Sequence, residues 1–373
     1  MKIVIDENIP FIRGVFEPWA DVVYSPGRSI DAHMVADADA LIVRTRTNCN
    51  RNLLEGSMVR IVASATIGFD HLDTEWLEKT GIKWANAPGC NSGSVMQYIT
   101  SLLFFLARKH SLDLRALTLG IAGVGNVGSK VERAARALGM RVLMNDPPRL
   151  RREGGTEFHP LEKLLAEADI LTMHVPLTRE GEDRTFHLLG GHNISAMKRN
   201  AILINSSRGE VVDNVALRFA LGEGLIRGAA LDVWEGEPET DPQLVALTDI
   251  ATPHIAGYSV DGKANASISS VRSVAAELGL PLLDWTPAEL PGPAEPIIDQ
   301  AGINDSSLFL VARAVHHTYP IEEDDRLFRN SQKKFEYLRD NYRIRREFGS
   351  YNVRTTDLEA GPIMADLGFQ IIE

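Results

Sequence analysis

The first part of the chain alternates short runs of β-branched and other apolar residues with longer stretches of mixed polarity. Within residues 1–90 the short runs are IVI, DVVYS, ALIVR, RIVAS and IKWAN, and the stretches between them have the length of helices. This alternation is typical of parallel strands joined by crossover helices. It predicts a doubly wound parallel sheet at the start of the protein.

A second series of short apolar runs begins near Thr118. The runs are LTLGIAG, RVLMND, DILTMHV, AILINS, GAALDV and DIATPH. Segments with helical periodicity separate them, for example Val127–Leu138 and Val211–Leu221. The predicted fold class is α/β, with two doubly wound parallel-sheet domains of the Rossmann or flavodoxin type.

The last part of the chain has a different pattern. Val260–Leu278 predicts one long helix, and five prolines then occur from Pro281 to Pro296, which indicates a linker or an extended arm. The tail beyond them is rich in charge. Its segment KKFEYLRDNYRIRREF predicts a helix at first, and SYNVR and FQIIE predict strands. We expect a small α+β C-terminal domain.

Composition excludes some classes of function. The formal net charge is −11, whereas binding to phosphate backbones requires a basic face, so we expect no nucleic-acid partner. The apolar stretch Val95–Ala107 is interrupted by Gln97 and Ser101 and is shorter than the roughly 20 residues of a membrane span, so we expect no membrane partner. Only two cysteines occur, Cys49 and Cys90, which argues against a disulfide framework and favours a cytoplasmic protein.

The glycine motif GVGNVG follows the predicted strand LTLGIA and opens a predicted helix. Gly123 allows a tight turn, Gly125 lets the backbone approach a pyrophosphate, and Gly128 lets the helix pack on the sheet. Asn126 and Val127 complete the motif. The free N–H groups of the helix N-terminus favour phosphate oxygens. In this context the motif predicts a dinucleotide-binding site.

An acidic residue selects between the two nicotinamide cofactors. Asp146 ends the strand RVLMND, eighteen residues beyond Gly128. A carboxylate at this position accepts hydrogen bonds from ribose hydroxyls and repels a 2′-phosphate. We therefore predict that the cofactor is NAD, and we predict no metal centre.

Three polar residues each follow a strand-like run: Arg208 in INSSRG, Glu237 in LDVWEGEP and His254 in ATPHIAGY. An imidazole titrates near neutrality, so His254 can accept a hydroxyl proton, and Glu237 can orient the ring and raise its pKa. Arg208 can hold a carboxylate and polarise a carbonyl. Each residue alone is also consistent with a surface charge or a loop residue. Together on a Rossmann-type domain they predict oxidation of a hydroxy acid by hydride transfer.

Two cations follow the run ALIVR. Arg44, Thr45 and Arg46 come at the carboxyl end of a predicted parallel strand, where α/β domains bind ligands. Two guanidinium groups and a hydroxyl favour an anion such as a substrate phosphate. The alternative is that one arginine pairs with a surface carboxylate.

The motifs GVGNVG, HVPLT, INSSRG, LDVWEGEP and TPHIAGY occur in the order of the D-isomer-specific 2-hydroxyacid dehydrogenase family, which the chain resembles over roughly residues 1–280. The resemblance implies that Arg208, Glu237 and His254 are catalytic. It also implies a split substrate-binding domain, completed by a returning helix, with the NAD domain inserted in it. The tail resembles an extra C-terminal domain that one branch uses for dimerisation.

The resemblance sets the predicted domains and the remaining site residues. The domains are a substrate-binding domain at 1–93 completed by 258–285, an NAD-binding domain at 94–257 and a dimerisation domain at 286–373. The NAD site then also includes Val175, Ser206, Ser207, Arg208, Asp232 and Gly257. The substrate site includes Thr45, Thr66 and Tyr258. Two positions depart from the family pattern: Gln97 replaces a frequent glutamate, and Val175 replaces a hydroxyl residue that often contacts NAD.

The substrate class and two alternatives follow from the same resemblance. We expect a small phosphorylated hydroxy acid as substrate and a homodimer as the assembly. Another 2-hydroxy acid, such as 3-phosphoglycerate, is an alternative, although the tail begins with helices and not with the βαββαβ order of a regulatory domain. A protein of a different class, an NAD sensor that binds other proteins, could retain the same three residues.

Overall fold

The computed structural model describes residues 1–372. Every pairing between its strands is parallel. The strands are β1 (Lys2–Asp6), β2 (Asp21–Ser25), β3 (Ala40–Val43), β4 (Ile61–Ser64), β5 (Lys83–Ala85), β6 (Thr118–Ala122), β7 (Arg141–Asn145), β8 (Ile170–Met173), β9 (Ile202–Asn205), β10 (Gly228–Leu231), β11 (Ile250–Ala251), β12 (Ile297–Asp299), β13 (Asn352–Arg354) and β14 (Gln370–Ile372).

Helices separate most of these strands. They are α1 (Ala32–Val35), α2 (Arg51–Leu54), α3 (Thr74–Thr80), α4 (Ser92–His110), α5 (Asn126–Ala137), α6 (Pro147–Glu153), α7 (Leu161–Glu167), α8 (Asn214–Gly222), α9 (Pro242–Leu247), α10 (Val260–Leu278), α11 (Ser307–Thr318), α12 (Ile321–Arg329), α13 (Phe335–Asp340) and α14 (Ala360–Leu367). Among residues 1–372, no helix combines the length and the apolar character that crossing a bilayer requires.

The first compact unit consists of Met1–Asn91 and Ser259–Pro291. Its five-stranded sheet has the order β2-β1-β3-β4-β5, which is the flavodoxin-like arrangement. Strands β3 and β4 are buried along their whole length, as expected for parallel strands with helices on both faces. Helix α10 packs on this sheet through Val271 and Val274.

The second unit consists of Ser92–Tyr258 and Gly292–Glu373. Its main sheet has the order β11-β10-β9-β8-β6-β7, so the chain reverses direction across the sheet between β6 and β8. Ligands of doubly wound sheets bind at this switch point, outside the carboxyl ends of the strands. The predicted glycine motif directly follows β6, which places it at the switch point.

The C-terminal segment of the second unit forms a three-stranded sheet of order β12-β13-β14 with helices α11 to α14. It shares one apolar core with helices α4 and α5. In this core Tyr319 and Phe348 are buried together with Leu103 of α4 and Val131 of α5. The predicted α/β class with two doubly wound sheets is confirmed. The subdivision into three domains, and the role of the tail in dimerisation, stay predictions.

Candidate active site

The carboxyl ends of three adjacent strands carry the three predicted catalytic residues. Strand β10 lies between β9 and β11 in the sheet. Arg208 follows β9, Glu237 lies in the loop after β10, and His254 follows β11. Because carboxyl ends of parallel strands meet at one edge of a sheet, the topology brings these three loops together.

Glu237 and His254 form a hydrogen-bonded pair. The Nδ1 atom of His254 lies 2.7 Å from Oε2 of Glu237, and the other carboxylate oxygen accepts the backbone N–H of Trp234 at 2.8 Å. Burial acts to raise the pKa of Glu237, but the charge and hydrogen bond of His254 and the N–H of Trp234 hold that pKa below its ordinary value. An ionised carboxylate only accepts hydrogen bonds, so the proton lies on Nδ1 and the Nε2 atom of the ring is left for chemistry.

The backbone around His254 is held in an unusual conformation by Asp232. His254 has a φ of +56°, in the left-handed region that side-chain-bearing residues rarely adopt. Its N–H donates to the carbonyl of Asp232, whose carboxylate accepts the N–H groups of Ile255 (2.8 Å) and Ala256 (2.9 Å) and the hydroxyl of Thr252 (2.6 Å). Asp232 is only 1% exposed, and this burial raises its pKa. These bonds offset the strain and fix the direction of the imidazole.

The loop of Arg208 packs directly on the turn that holds Glu237. A β-carbon on Gly209 would lie 2.0 Å from the carbonyl carbon of Trp234, so this approach requires glycine. Asn205 donates to the carbonyl of Arg208 at 2.9 Å, and Nη1 of Arg208 donates to the carbonyl of Ser207 at 2.8 Å. The guanidinium is therefore carried on a loop that is fixed against the neighbouring strand end.

The glycine motif after β6 forms a cradle. Gly123 has a φ of +87°, and a β-carbon there would lie 2.6 Å from the carbonyl oxygen of His174. A β-carbon on Gly128 would lie 2.1 Å from the carbonyl oxygen of Gly123. Around Gly125, in contrast, the space is open, and no side chain caps the start of α5. The two flanking glycines allow close packing, and the middle one leaves room for a pyrophosphate at the helix N-terminus.

Asp146 lies beside this cradle. Its two carboxylate oxygens accept the backbone N–H groups of Val124 and Arg149, at 2.8 and 2.9 Å, and each oxygen retains a further lone pair for a ribose hydroxyl. The guanidinium of Arg149 donates to the carbonyl of Val124 at 2.6 Å and pairs with Glu153. The guanidinium of Arg149, the cation next to Asp146, is thus already bound to other groups of the protein.

The remaining predicted cofactor residues lie along the same edge. Ser206 and Ser207 directly follow β9, and Ser206 Oγ is buried without a hydrogen-bond partner among the described residues. A β-carbon on Gly123 would lie 2.8 Å from the Cγ1 atom of Val175, so Val175 borders the first glycine of the motif. The other predicted positions are Asn126 and Val127 at the start of α5, Asp232 after β10 and Gly257 after His254. Three features fit a bound dinucleotide: the open space around Gly125, the N–H groups at the start of α5 that no side chain caps, and the buried Ser206 hydroxyl.

The predicted substrate residues Arg44, Thr45, Arg46 and Thr66 belong to the first unit. The arginines follow β3 and Thr66 follows β4, and these strands are neighbours in the sheet. Arg44 donates to the carbonyl of Asn8 at 3.3 Å, and Thr66 donates to the carbonyl of Gly68 at 2.9 Å. The topology of this unit therefore places the basic pair and the threonine at one sheet edge.

Comparison with known proteins decides the family. The profile of the D-isomer specific 2-hydroxyacid dehydrogenase NAD binding domain matches residues 105–256. Erythronate-4-phosphate dehydrogenase from Bacteroides thetaiotaomicron is 47% identical over 95% of this chain and 99% of its own. The chain belongs to the D-isomer specific 2-hydroxyacid dehydrogenase family.

Further relatives agree with this assignment. Erythronate-4-phosphate dehydrogenase from Serratia proteamaculans is 42% identical over 99% of each chain. The structure of D-lactate dehydrogenase from Aquifex aeolicus, complexed with NAD and lactic acid, matches with a TM-score of 0.64 and 26% identity over 79% of this chain and 100% of that one. The recognition made from the motifs is confirmed, and this dehydrogenase is an NAD-dependent oxidoreductase. A domain of unknown function matches residues 290–368.

Two arginines of the C-terminal segment reach the dehydrogenase site: Arg339, which was not predicted from the sequence, and Arg345, which no local sequence pattern placed there. Arg345 is 2% exposed and donates to the carbonyls of Ala256 and Ser94, at 2.6 and 2.9 Å. Arg339 lies with its Cζ atom 5.6 Å from the centre of the Tyr258 ring. The alternation of arginine and tyrosine in the tail was the available signal, but no local pattern connects it with a loop so far away in sequence.

A cluster of possible metal ligands lies next to the segment that follows Arg208, where the N–H of His187 donates to the carbonyl of Glu210 at 2.8 Å. The side chains of His187, Asp213 and Glu235 have ligand atoms within 4.8 Å of one another. His187 Nε2 already lies 2.7 Å from one oxygen of Glu235, whose other oxygen accepts the N–H of Asn214 at 2.8 Å. The hydrogen bonds account for this cluster as a link between the loops after β9 and β10.

Proposed function

We propose that the protein oxidises 4-phospho-D-erythronate to 2-oxo-3-hydroxy-4-phosphobutanoate with NAD, as a step of pyridoxine 5′-phosphate biosynthesis. The observation that carries this proposal is the hydrogen bond between Nδ1 of His254 and Oε2 of Glu237, which are 2.7 Å apart. Both residues follow strands of the sheet that also carries the glycine cradle. The full-length similarity to relatives named erythronate-4-phosphate dehydrogenase supports the choice of substrate.

The proposed mechanism assigns one task to each strand-end residue. His254 takes the proton of the C2 hydroxyl on Nε2, and Glu237 holds the other ring nitrogen and stabilises the imidazolium that forms. Arg208 binds the substrate carboxylate and polarises the developing C2 carbonyl. NAD held at the glycine cradle would supply the acceptor for the hydride from C2, so that one 2-oxo acid, one NADH and one proton would be formed.

The proposed substrate contacts extend from the carboxylate to the phosphate. Arg44 or Arg46 binds the 4-phosphate through its planar donor fork, with Thr45 as a hydroxyl donor. Thr66 and Tyr258 line the substrate between the two charged ends. If one guanidinium binds each charged end, only a substrate of the matching length makes both contacts.

We also propose a cytoplasmic homodimer that assembles through the C-terminal segment. This segment exposes large apolar side chains, namely Phe309, Leu327, Tyr337, Ile344 and Leu358. Burying such residues in a symmetric contact removes apolar surface from water. Both cysteines are free thiols, which is usual in a reducing compartment.

The test is the absorbance of NADH formed by the purified protein with a panel of hydroxy acids. The proposal predicts the highest kcat/KM for 4-phospho-D-erythronate. A higher kcat/KM for 3-phosphoglycerate or another 2-hydroxy acid would make that acid the substrate in place of 4-phospho-D-erythronate. Binding of NAD without turnover of any hydroxy acid would favour an NAD sensor instead.

A further inference from the structure

The C-terminal segment brings a cation to the strand-end site of its own unit. Arg339 lies on α13, and its guanidinium stands over the ring of Tyr258, four residues after His254, and hydrogen-bonds to the Tyr258 side chain. The charges of Arg339 and Glu237 are close enough to affect each other: each contributes to the pKa of the other. Arg339 therefore faces the same site as the His254–Glu237 pair.

The charge of Arg339 is only weakly compensated within the described residues. Its side chain is 19% exposed, and the acidic group it pairs with is Glu336, at 3.4 Å. Its Nε atom has no hydrogen-bond partner among residues 1–372. The neighbouring Arg343, in contrast, pairs with Asp324 at 3.0 Å and with Glu323 at 3.1 Å. A largely desolvated guanidinium whose ion pair is as long as 3.4 Å, and whose Nε donor is not hydrogen-bonded within the described chain, favours an incoming anion.

The strand order gives the direction from which that anion comes. Arg208 follows β9, whereas His254 and Tyr258 follow β11, on the other side of β10. A substrate with its carboxylate at Arg208 and its C2 hydroxyl at His254 extends its remaining carbons away from β9. Its far end then points towards Tyr258 and Arg339.

We propose that Arg339 is a specificity-determining residue that binds the phosphate end of the substrate, with Tyr258 holding its guanidinium in place. This inference rests on the proposed function, because it takes the substrate to be a phosphorylated hydroxy acid. A phosphate carries three acceptor oxygens, so it can accept hydrogen bonds from Arg339 and from a further arginine at the same time. The C-terminal segment thereby has a part in substrate selection.

The experiment compares KM for 4-phospho-D-erythronate with KM for D-erythronate in the full-length protein, with NAD saturating. Arg339→Gln should raise KM for the phosphorylated substrate on the order of tenfold or more, because a hydrogen bond to a charged group is lost. KM for D-erythronate should not change. Lys333→Gln is the matched control, because it removes an exposed positive charge six positions before Arg339 in the chain. Both KM values of this variant should equal those of the parent.

The outcomes separate this inference from the proposed function. The proposal for Arg339 fails if the parent protein oxidises 4-phospho-D-erythronate but Arg339→Gln leaves both KM values unchanged or raises both equally. In that case Arg339 does not bind the phosphate. If the parent has no activity on either acid, the proposed function itself fails. If the glutamine variant does not fold, Arg339→Lys decides, since lysine cannot form the bidentate contact; an unchanged ratio of the two KM values rejects the proposal.

Discussion

Gly209 and Trp234 approach so closely that no side chain fits between them: a β-carbon on the glycine would lie 2.0 Å from the carbonyl carbon of the tryptophan. This contact joins the loop of Arg208 to the turn whose N–H group holds Glu237. The geometry of the site therefore depends on a residue that has no chemistry of its own.

We predict that Gly209→Ala separates the two loops and lowers both stability and activity. Overpacking of this kind costs about 1–3 kcal/mol, and the displaced Arg208 and Glu237 should reduce kcat/KM as well. Gly222→Ala is the control, because a β-carbon there meets nothing within 4 Å. Denaturant unfolding and the NADH assay measure both effects. Equal behaviour of the two variants would show that the contact relaxes without consequence.

His254→Ala should reduce turnover by roughly 10²–10⁴-fold, because the base that accepts the hydroxyl proton is removed. The affinity for NAD should be nearly unchanged. The exposed His192 provides a control, since His192→Ala should retain parental turnover. Steady-state kinetics and a direct measurement of NAD binding check this prediction. Turnover of His254→Ala within tenfold of the parent would remove His254 from the mechanism.

The Glu237–His254 pair should make stability depend on pH. The pKa of Glu237 lies below its ordinary value of 4.5 in the folded protein. A lowered carboxylate pKa contributes stability that is complete above the unfolded value and is lost as pH falls through the folded value. The free energy of unfolding of the parent should therefore decrease more steeply below about pH 4.5 than that of Glu237→Gln. Unfolding curves of both proteins from about pH 7 to about pH 3 test this; parallel profiles would contradict it.

Asp146→Ser should narrow the preference for NAD over NADP. The substitution removes the negative charge that repels a 2′-phosphate, while serine can still cap the N-terminus of α6 in place of the carboxylate. The ratio of kcat/KM for NAD and NADP measures the change. A ratio equal to that of the parent would mean that Asp146 does not face the ribose.

Local patterns predicted the central strands because a parallel strand with helices on both faces is continuously apolar. The run IVAS is wholly buried in β4, and the helix predicted at Val260–Leu278 has those bounds as α10. Helix ends were harder to predict. The segment expected to be helical from Val211 begins its α-helix at Asn214, because the side chain of Asp213 accepts the N–H of Ala216 and caps it there.

Contacts between distant segments could not be predicted from local patterns. The helix expected in the tail ends at Asp340, and the following residues adopt an irregular path in which Arg345 is buried. Bonds from Arg345 to two backbone carbonyls outweigh the helical preference of that segment. The same limit applies to Arg339, whose approach to Tyr258 is set by tertiary packing alone.

The anchor between Arg345 and Ala256 has a consequence for synthesis of the protein. The two residues are 89 positions apart, and a ribosome makes the loop of His254 long before it makes Arg345. A nascent chain that already contains every strand of the main sheet still lacks the guanidinium that ties this loop to Ser94 at the start of α4. A chain that has not yet been extended to Arg345 would thus carry Arg208, Glu237 and His254 with the His254 loop bonded to Asp232 but not yet to α4, and full activity would follow only after Arg345 has been made.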